Sequence, residues 1–283
     1  MAKKSNSAAS GAFRMTRQRF KPAFLGIVTL AIVAGCSMSP TGRPQLAIYS
    51  EAKMDQMGQQ AFSEIKAQTP LSRDPDAIRI VRCVAFAITE RLPAEDRSHG
   101  WEVLVFEGGQ INAFALPGRK IGVYEGIFRV AQNQDQLAAV VGHEIAHVTS
   151  HHANERVSTS SATQAGVGLA QSAAGGSGTL SGQAAGLLGV GAQYGVILPF
   201  GRKQESEADV VGMDLAATAG FDPRETIPLW ENMSRSGQQK PPEFVSTHPS
   251  DETRSATLKK NMPGAMKIFQ EVRERGVRPD CGF

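Results

Sequence analysis

The sequence predicts an α+β domain, mostly helical, in which a small β-sheet or hairpin lies next to a buried helix. Three observations carry this prediction. Apolar residues recur at helical spacing through most of the chain beyond residue 50. Three short strand-like stretches gather between residues 101 and 126. A polar start at Asn133 then leads into an apolar run at 137–141 and on to His143-Glu144-Ile145-Ala146-His147, which places that pentapeptide within a largely buried helix.

Residues 1–35 stand outside the fold. Lys3, Lys4, Arg14, Arg17, Arg19 and Lys21 form a basic leader without an acid. Residues 23–35 are apolar apart from Thr29, and too few to span about 30 Å of hydrocarbon comfortably. This is the pattern of a secretory signal, starting at Met1 or, more compactly, at Met15. Its end, Val33-Ala34-Gly35-Cys36, resembles the lipobox of bacterial lipoproteins, in which the peptide is cut before the cysteine and the cysteine receives lipid. That resemblance implies a mature chain from Cys36, anchored by acyl chains rather than by a helix. By the sorting behaviour of the lipoproteins it resembles, Ser37 after the cysteine, rather than an aspartate, points to the outer membrane. The chain carries thirty Lys and Arg against twenty-seven Asp and Glu; without the six leader cations the balance is twenty-four against twenty-seven. The basic excess therefore belongs to the leader and gives no ground for nucleic-acid binding.

Residues 36–283 suffice for one domain with a sizeable core and contain no internal repeat. Ser50 caps a helix expected from about 51 to 68, apolar at Met54, Met57, Ala61, Phe62 and Ile65. After a break at 70–75, a second helix is expected over 76–91, with Ile78, Val81 and Ala85 on one face. The strand-like stretches are WEVLVFE (101–107), INAFALP (111–117) and KIGVYEG (120–126), with Pro117-Gly118 turning between the last two. Residues 158–195 carry hardly a charge and are rich in Gly, Ala, Ser and Gln, which reads as a mobile segment or a cover over the adjoining site. Further helices are expected near 203–219, 223–235, 250–262 and 265–275. Cys83 and Cys281 can pair in an oxidising compartment and tie the C-terminus to the second helix; a buried thiol and a frayed tail are the other reading.

The pentapeptide carries the chemistry. Side chains four apart on a helix lie one above the other, so His143 and His147 point to one spot suited to a tetrahedral zinc ion. Glu144 lies beside that spot and can take a proton from water there. A catalytic zinc uses three protein ligands and keeps one position open. A histidine six residues past His147 is excluded, since Ala153 stands there. His151, one further turn along the same face, would stand about 12 Å from His143, so it and His152 read as solvated or rim residues. A glutamate from a second helix remains. In RKQESEAD (202–209), Glu205 and Asp209 are four apart, so Glu205 can bind metal while Asp209 accepts the free N–H of a ligand histidine. Glu207, about 200° round the helix, competes for the ligand role, and a charged first turn is also ordinary helix chemistry.

HEIAH followed by RKQESEAD resembles the M48 family of zinc metallopeptidases, whose second motif reads ExxAD within a fuller S-R-x-x-E-x-x-A-D; Gly201 stands where a serine is common. NAFALPGRKIGVYEG (112–126) resembles the hairpin preceding that family's metal helix, and STHPSDETR (246–254) its late THPxxxxR element. The resemblance covers about 45–262. It implies a gluzincin-type zincin domain with one Zn2+ on His143, His147 and Glu205, Asp209 supporting a ligand histidine and Glu144 accepting the proton. With the lipobox, it points to the periplasmic lipoprotein branch of BepA- and LoiP-like proteins, although this length leaves no room for the TPR array of BepA-like members. Asn112, Ala113, Phe114 and Ala115 form an edge expected to pair with an extended peptide. His248, before a proline, is expected in an extended loop, either stabilising a developing oxyanion or serving as a reversible fourth zinc ligand; the resemblance favours the second use. Arg254 is expected to anchor that loop on a nearby carboxylate. Tyr124 and Tyr194 are further oxyanion candidates. The expected activity is endopeptidase cleavage of misfolded or misassembled envelope proteins on the periplasmic side. The alternative is a chaperone or assembly factor, allied with outer-membrane assembly machinery, whose protease activity is latent or dispensable.

Overall fold

The computed structural model describes residues 36–97, 100–173, 201–236, 244, 248 and 252–283. The chain begins with a short antiparallel ribbon, β1 (Cys36–Met38) against β2 (Pro44–Leu46), which no alternation marks in the sequence. Capping side chains then set the first helices. Ser50 accepts the Lys53 N–H and opens α1 (Glu51–Gln68), which buries Met54, Met57, Ala61 and Phe62 along one stripe. Asp74 accepts the Asp76 and Ala77 N–H groups at the start of α2 (Pro75–Thr89), with Pro75 in the first turn, where its missing N–H has no helical partner to lose. A single turn, α3 (Ala94–Arg97), leads to the sheet.

The sheet has three strands, β3 (Glu102–Phe106), β4 (Ala113–Leu116) and β5 (Lys120–Tyr124), in the order β3-β5-β4. The hairpin partner β4 runs antiparallel to β5, while β3 lies parallel to it with Val103 opposite Ile121 and Val105 opposite Val123. Gly118 and Arg119 turn the hairpin at φ values of 77° and 60°. Gly122 is required by packing: a Cβ there would lie 2.3 Å from the Phe114 ring and 2.9 Å from that of Phe106. These rings join Phe62 and Tyr124 in one aromatic cluster under α1.

Asn133 accepts the Gln136 N–H and starts α4 (Gln134–Thr149), buried at every residue from Gln136 to His147. Its apolar side chains share one core with α2 and the sheet, through Val81, Val84, Val105, Ile121, Leu137, Val141 and Ile145. The helix stops at Ser150, and His151 takes a left-handed φ of 54°, so α5 (His152–Ala173) leaves in a new direction. The segment of low charge thus begins as helix, since α5 continues to Ala173; residues 174–200 lie outside the described residues. Next come α6 (Arg202–Thr218), a 3-10 turn at Pro223–Glu225, α7 (Thr226–Ser236) and α8 (Glu252–Glu274). The two last helices expected from sequence are one, because Pro263 is accommodated inside α8, where the residue whose carbonyl loses its donor, Lys259, is exposed. A Cys83–Cys281 disulfide, with Cα atoms 5.5 Å apart, ties the C-terminal residues to α2, and Gln134 accepts the Cys281 N–H at 2.9 Å. Among the described residues no helix is long and apolar enough to cross a membrane.

One contact sets the geometry of everything below. α4 and α6 meet backbone to backbone at Gly142 and Gly212; a Cβ on Gly212 would lie 2.7 Å from the His143 nitrogen. Two glycines at this point let the two acid- and histidine-bearing helices approach closely.

Candidate active site

α4 presents His143, Glu144 and His147 to the inner face of α6, which presents Glu205 and Asp209; His248 closes the group from the other side. All six are buried, at most 3 % exposed. His143 Nε2 lies 3.1 Å from His147 Nε2, 3.4 Å from Glu205 Oε2 and 3.3 Å from His248 Nδ1. Glu205 Oε1 lies 3.5 Å from His147 Nε2 and 3.1 Å from His248 Nδ1. A tetrahedral zinc with ligand bonds of about 2.0–2.2 Å requires donor–donor edges of roughly 3.3–3.5 Å. The shortest edges, at 3.1 Å, lie just under this range, and the four donor atoms all lie within 4.8 Å of one another. The four side chains fit one zinc ion.

The surroundings fit it too. Arg254, from α8, forms a two-pronged pair with Asp209 at 2.7 Å and 2.7 Å. Its third nitrogen reaches Glu205 Oε2 at 3.1 Å and the His248 carbonyl at 3.1 Å, while the guanidinium lies 4.1 Å over the Trp230 ring. Asp209 Oδ1 lies 3.1 Å from His143 Nδ1, in a contact bent from the N–H axis, and so selects the tautomer with a lone pair on Nε2. Burial lowers the His143 pKa, but hydrogen bonds and charge from Asp209 and Glu205 outweigh it and lift the imidazole to about 9. Burial raises Glu205, and the surrounding imidazoles more than reverse this, holding it well below the usual carboxylate range. Three buried carboxylates, Glu144, Glu205 and Asp209, thus gather here against the guanidinium of Arg254 and the nearby charge of Arg156, a balance that a divalent cation suits.

Glu144 stands between this group and the edge of the sheet. Its Oε2 accepts the Ala115 N–H at 3.0 Å, and its Oε1, 3.4 Å from His248 Nε2, has no hydrogen-bond donor among the described residues. Burial raises its pKa, opposed by the charges of His248 and His143. The Tyr124 N–H donates to the Asn112 carbonyl at 3.0 Å, which sets the phase of the hairpin. Asn112, Phe114 and Leu116 therefore turn their main-chain groups to β5, and Ala113 and Ala115 turn theirs outward, toward the site. Farther along the same edge, the Phe244 N–H donates to the Ile111 carbonyl at 3.2 Å. Phe244 stacks on His248 with ring centroids 4.4 Å apart, and the Phe244 carbonyl accepts the His248 N–H at 2.8 Å.

The other sequence expectations divide. Cys36 opens β1. Tyr124 packs with Phe106 and Phe114 in the aromatic cluster, and Tyr194 lies outside the described residues. Glu207 turns away from the four donors to Arg43, Thr41 and His152. His151 is exposed, as expected of a rim residue, but its neighbour is not. His152 is fully buried, with Nδ1 2.9 Å from His147 Nδ1. The expectation treated both as a continuation of the metal helix; the left-handed turn at His151 swings His152 back beneath His147. No glycine or asparagine marks that turn, so the sequence holds no signal for it. Phe244 and Trp230, which wall His143 at centroid distances of 6.0 Å each, read in sequence as ordinary apolar residues.

Residues 72–262 match the sequence profile of peptidase family M48. The chain is 39 % identical over 167 residues to the mitochondrial metalloendopeptidase OMA1 of Schizosaccharomyces pombe, covering 58 % of this chain and 48 % of that one. It is 28 % identical over 259 residues to the beta-barrel assembly-enhancing protease of Escherichia coli, covering 89 % and 51 %. It is 32 % identical over 264 residues to the OMA1 metalloendopeptidase of Danio rerio, covering 86 % and 54 %. The chain thus spans about half the length of the curated relatives it matches.

Proposed function

Because the chain belongs to peptidase family M48 and is therefore a zinc metalloendopeptidase, we propose that it is a lipid-anchored member working in the bacterial envelope, where it hydrolyses misfolded or misassembled proteins. The observation that carries the catalytic half of this reading is the placement of Glu144 between four converging metal donors and the outer edge of β4. His143, His147 and Glu205 are the residues that would hold zinc. Bound there, zinc supplies Lewis acidity toward a scissile carbonyl and acidifies a water molecule. Glu144 Oε1 is the atom placed to take a proton from an attacking water and to pass it to the leaving amine; a carboxylate raised by burial is suited to both roles. An extended substrate pairs with the outward main-chain groups of Ala113 and with the Ala115 carbonyl, the Ala115 N–H being held by Glu144, a mode that binds backbone and tolerates varied sequence. Arg254 keeps Asp209 and Glu205 in place and, through the His248 carbonyl, holds the loop.

His248 is read as a reversible fourth ligand that keeps the enzyme latent. Its Nδ1 stands at ligand spacing from both His143 and Glu205, and Phe244 beside it takes up part of the edge that a substrate needs. The envelope assignment draws on the basic leader, the lipobox ending in Cys36, and the relative named for β-barrel assembly. Those same features, with latency, support the second reading: an assembly factor for outer-membrane proteins whose proteolysis is seldom used.

Comparison of whole-envelope proteomes from cells carrying wild type or Glu144→Gln tests this. Full-length envelope proteins that accumulate only in the variant are the expected result. Identical proteomes, with full rescue of a deletion strain by Glu144→Gln, would overturn the protease reading in favour of the assembly factor.

A further inference from the structure

His152 and Glu207 are buried ionisable groups outside the four-donor set, and both lie on one line leading away from it. His147 Nδ1 and His152 Nδ1 are 2.9 Å apart, and His152 Nε2 is 3.2 Å from Glu207 Oε2. Glu207 is in turn gripped by the segment joining β1 to β2: Thr41 donates to Oε1 from its hydroxyl at 2.5 Å and from its N–H at 3.3 Å, and Arg43 Nε donates to Oε2 at 3.0 Å. Arg43 also bridges to Glu155, which receives the Gln204 amide at 2.7 Å. Gln204 Nε2 returns to the His152 carbonyl at 3.3 Å, and its Oε1 accepts the Gly201 N–H.

The chemistry of the line allows one arrangement of protons. If His147 gives its Nε2 lone pair to a metal, its Nδ1 must carry hydrogen. His152 Nδ1 must then accept, so His152 Nε2 carries the other hydrogen and donates to Glu207. A carboxylate at the end of such a chain fixes the ring of the ligand and makes it a better donor to metal. A bland alternative is a core histidine satisfied by whatever lies nearby. It does not account for a chain in which every link has one donor and one acceptor and which starts on a metal-facing imidazole.

We propose that His152 and Glu207 form a positioning relay that orients the zinc ligand His147 and couples it to the N-terminal Thr41–Arg43 segment. The relay rests on the reading of His147 as a zinc ligand. It gives His147 the support that Asp209 gives His143, and its far end sits on residues close behind Cys36. Thr41 holds Oε1 so that Oε2 is the oxygen presented to His152.

The test measures zinc affinity of the purified full-length protein by competition with a chromogenic chelator, alongside melting of the metal-free form. His152→Phe, which fills the space and cannot accept a hydrogen bond, is expected to weaken zinc binding by roughly ten- to a hundredfold. Glu207→Gln, nearly isosteric, is expected to weaken it by less, and Thr41→Val by least. Because the three act in series, adding Glu207→Gln or Thr41→Val to His152→Phe is expected to cause no further loss. Should His152→Phe fold poorly, as its metal-free melting will report, the pair Glu207→Gln and Thr41→Val carries the same non-additivity test. Zinc affinity within twofold of wild type in His152→Phe and Glu207→Gln overturns the relay and leaves the metal site standing, as do losses that multiply. A wild-type protein that binds no zinc overturns the reading of the site itself.

Discussion

Replacing Gly212 by alanine adds one methyl group where α6 crosses α4. That Cβ would lie 2.7 Å from the His143 nitrogen and 2.8 Å from both the Gly142 carbonyl carbon and the His143 Cα. These are backbone atoms of a buried helix and cannot rotate aside, so reaching an ordinary contact of 3.4 Å requires the helices to separate by roughly 0.6–0.7 Å. Zinc sites tolerate ligand displacements of only about 0.2 Å, and His143 is the residue pushed. Alanine gains about 1 kcal/mol over glycine in helix propensity, while overpacking a core costs about 1–3 kcal/mol, so the net expectation is a loss of up to about 2 kcal/mol. Zinc affinity and kcat/KM are expected to fall further than stability does, since misplacement near 1 Å can cost about a hundredfold in rate. Gly264, on α8, is the control: a Cβ there meets nothing within 4 Å, so Gly264→Ala is expected to stabilise the protein with zinc and activity unchanged. Denaturant melts, zinc titration and hydrolysis of an unfolded protein report all three quantities. A Gly212→Ala protein that melts higher, like Gly264→Ala, and keeps wild-type zinc affinity would refute the reasoning.

Three further outcomes follow from the same geometry. The Cys83–Cys281 bridge closes a sequence separation of 198 residues, for which the chain-entropy model gives about 5 kcal/mol; Cys83→Ser with Cys281→Ser is expected to lose about 2–5 kcal/mol in denaturant, and dithiothreitol to weaken wild type but not the variant. His248→Ala is expected to retain zinc and to raise cleavage of an unfolded substrate about tenfold, a latch of about 1.4 kcal/mol, whereas a fall of about a hundredfold would assign His248 to the oxyanion instead. Burial raises Glu155, but hydrogen bonds from Arg43 and Gln204 outweigh it and keep it below its ordinary 4.5. A lowered carboxylate contributes stability that is present above pH 4.5 and fades as pH falls below it. Glu155→Gln is therefore expected to cost about 1–2 kcal/mol at pH 7 and to converge on wild type in acid; a gap that does not change with pH would contradict this.

Most of the local structure is legible from residue types. Ser50, Asn133 and the apolar stripes of α1 and α4 specify their helices through side-chain caps and 3.6-residue periodicity, which act over a few positions. The hairpin is readable from Pro117-Gly118, but the parallel pairing of β3 with β5 is a choice made by the core, not by any local pattern. The metal donors on α4 are readable because helix geometry places i and i+4 together. Their partners Glu205 and Asp209 came within reach only through resemblance to a longer motif, because Glu205 and Glu207 are equivalent by composition. His152 is buried against expectation because one left-handed residue, His151, ends the helix whose continuation would have carried it into solvent. The boundary expected between 262 and 265 is absent because one hydrogen bond lost at Pro263, on an exposed turn, does not stop a helix already packed along its other face.

In the proposed mechanism Glu144 works as the proton acceptor beside a zinc held by His143, His147 and Glu205. Zinc content and hydrolysis of an unfolded protein, measured together on wild type and Glu144→Gln, test it most directly. One zinc per chain is expected in both proteins, with a loss of cleavage of about a hundred- to ten-thousandfold in the variant. Cleavage by Glu144→Gln at the wild-type rate, or a wild-type protein that cleaves with no zinc bound, would contradict it.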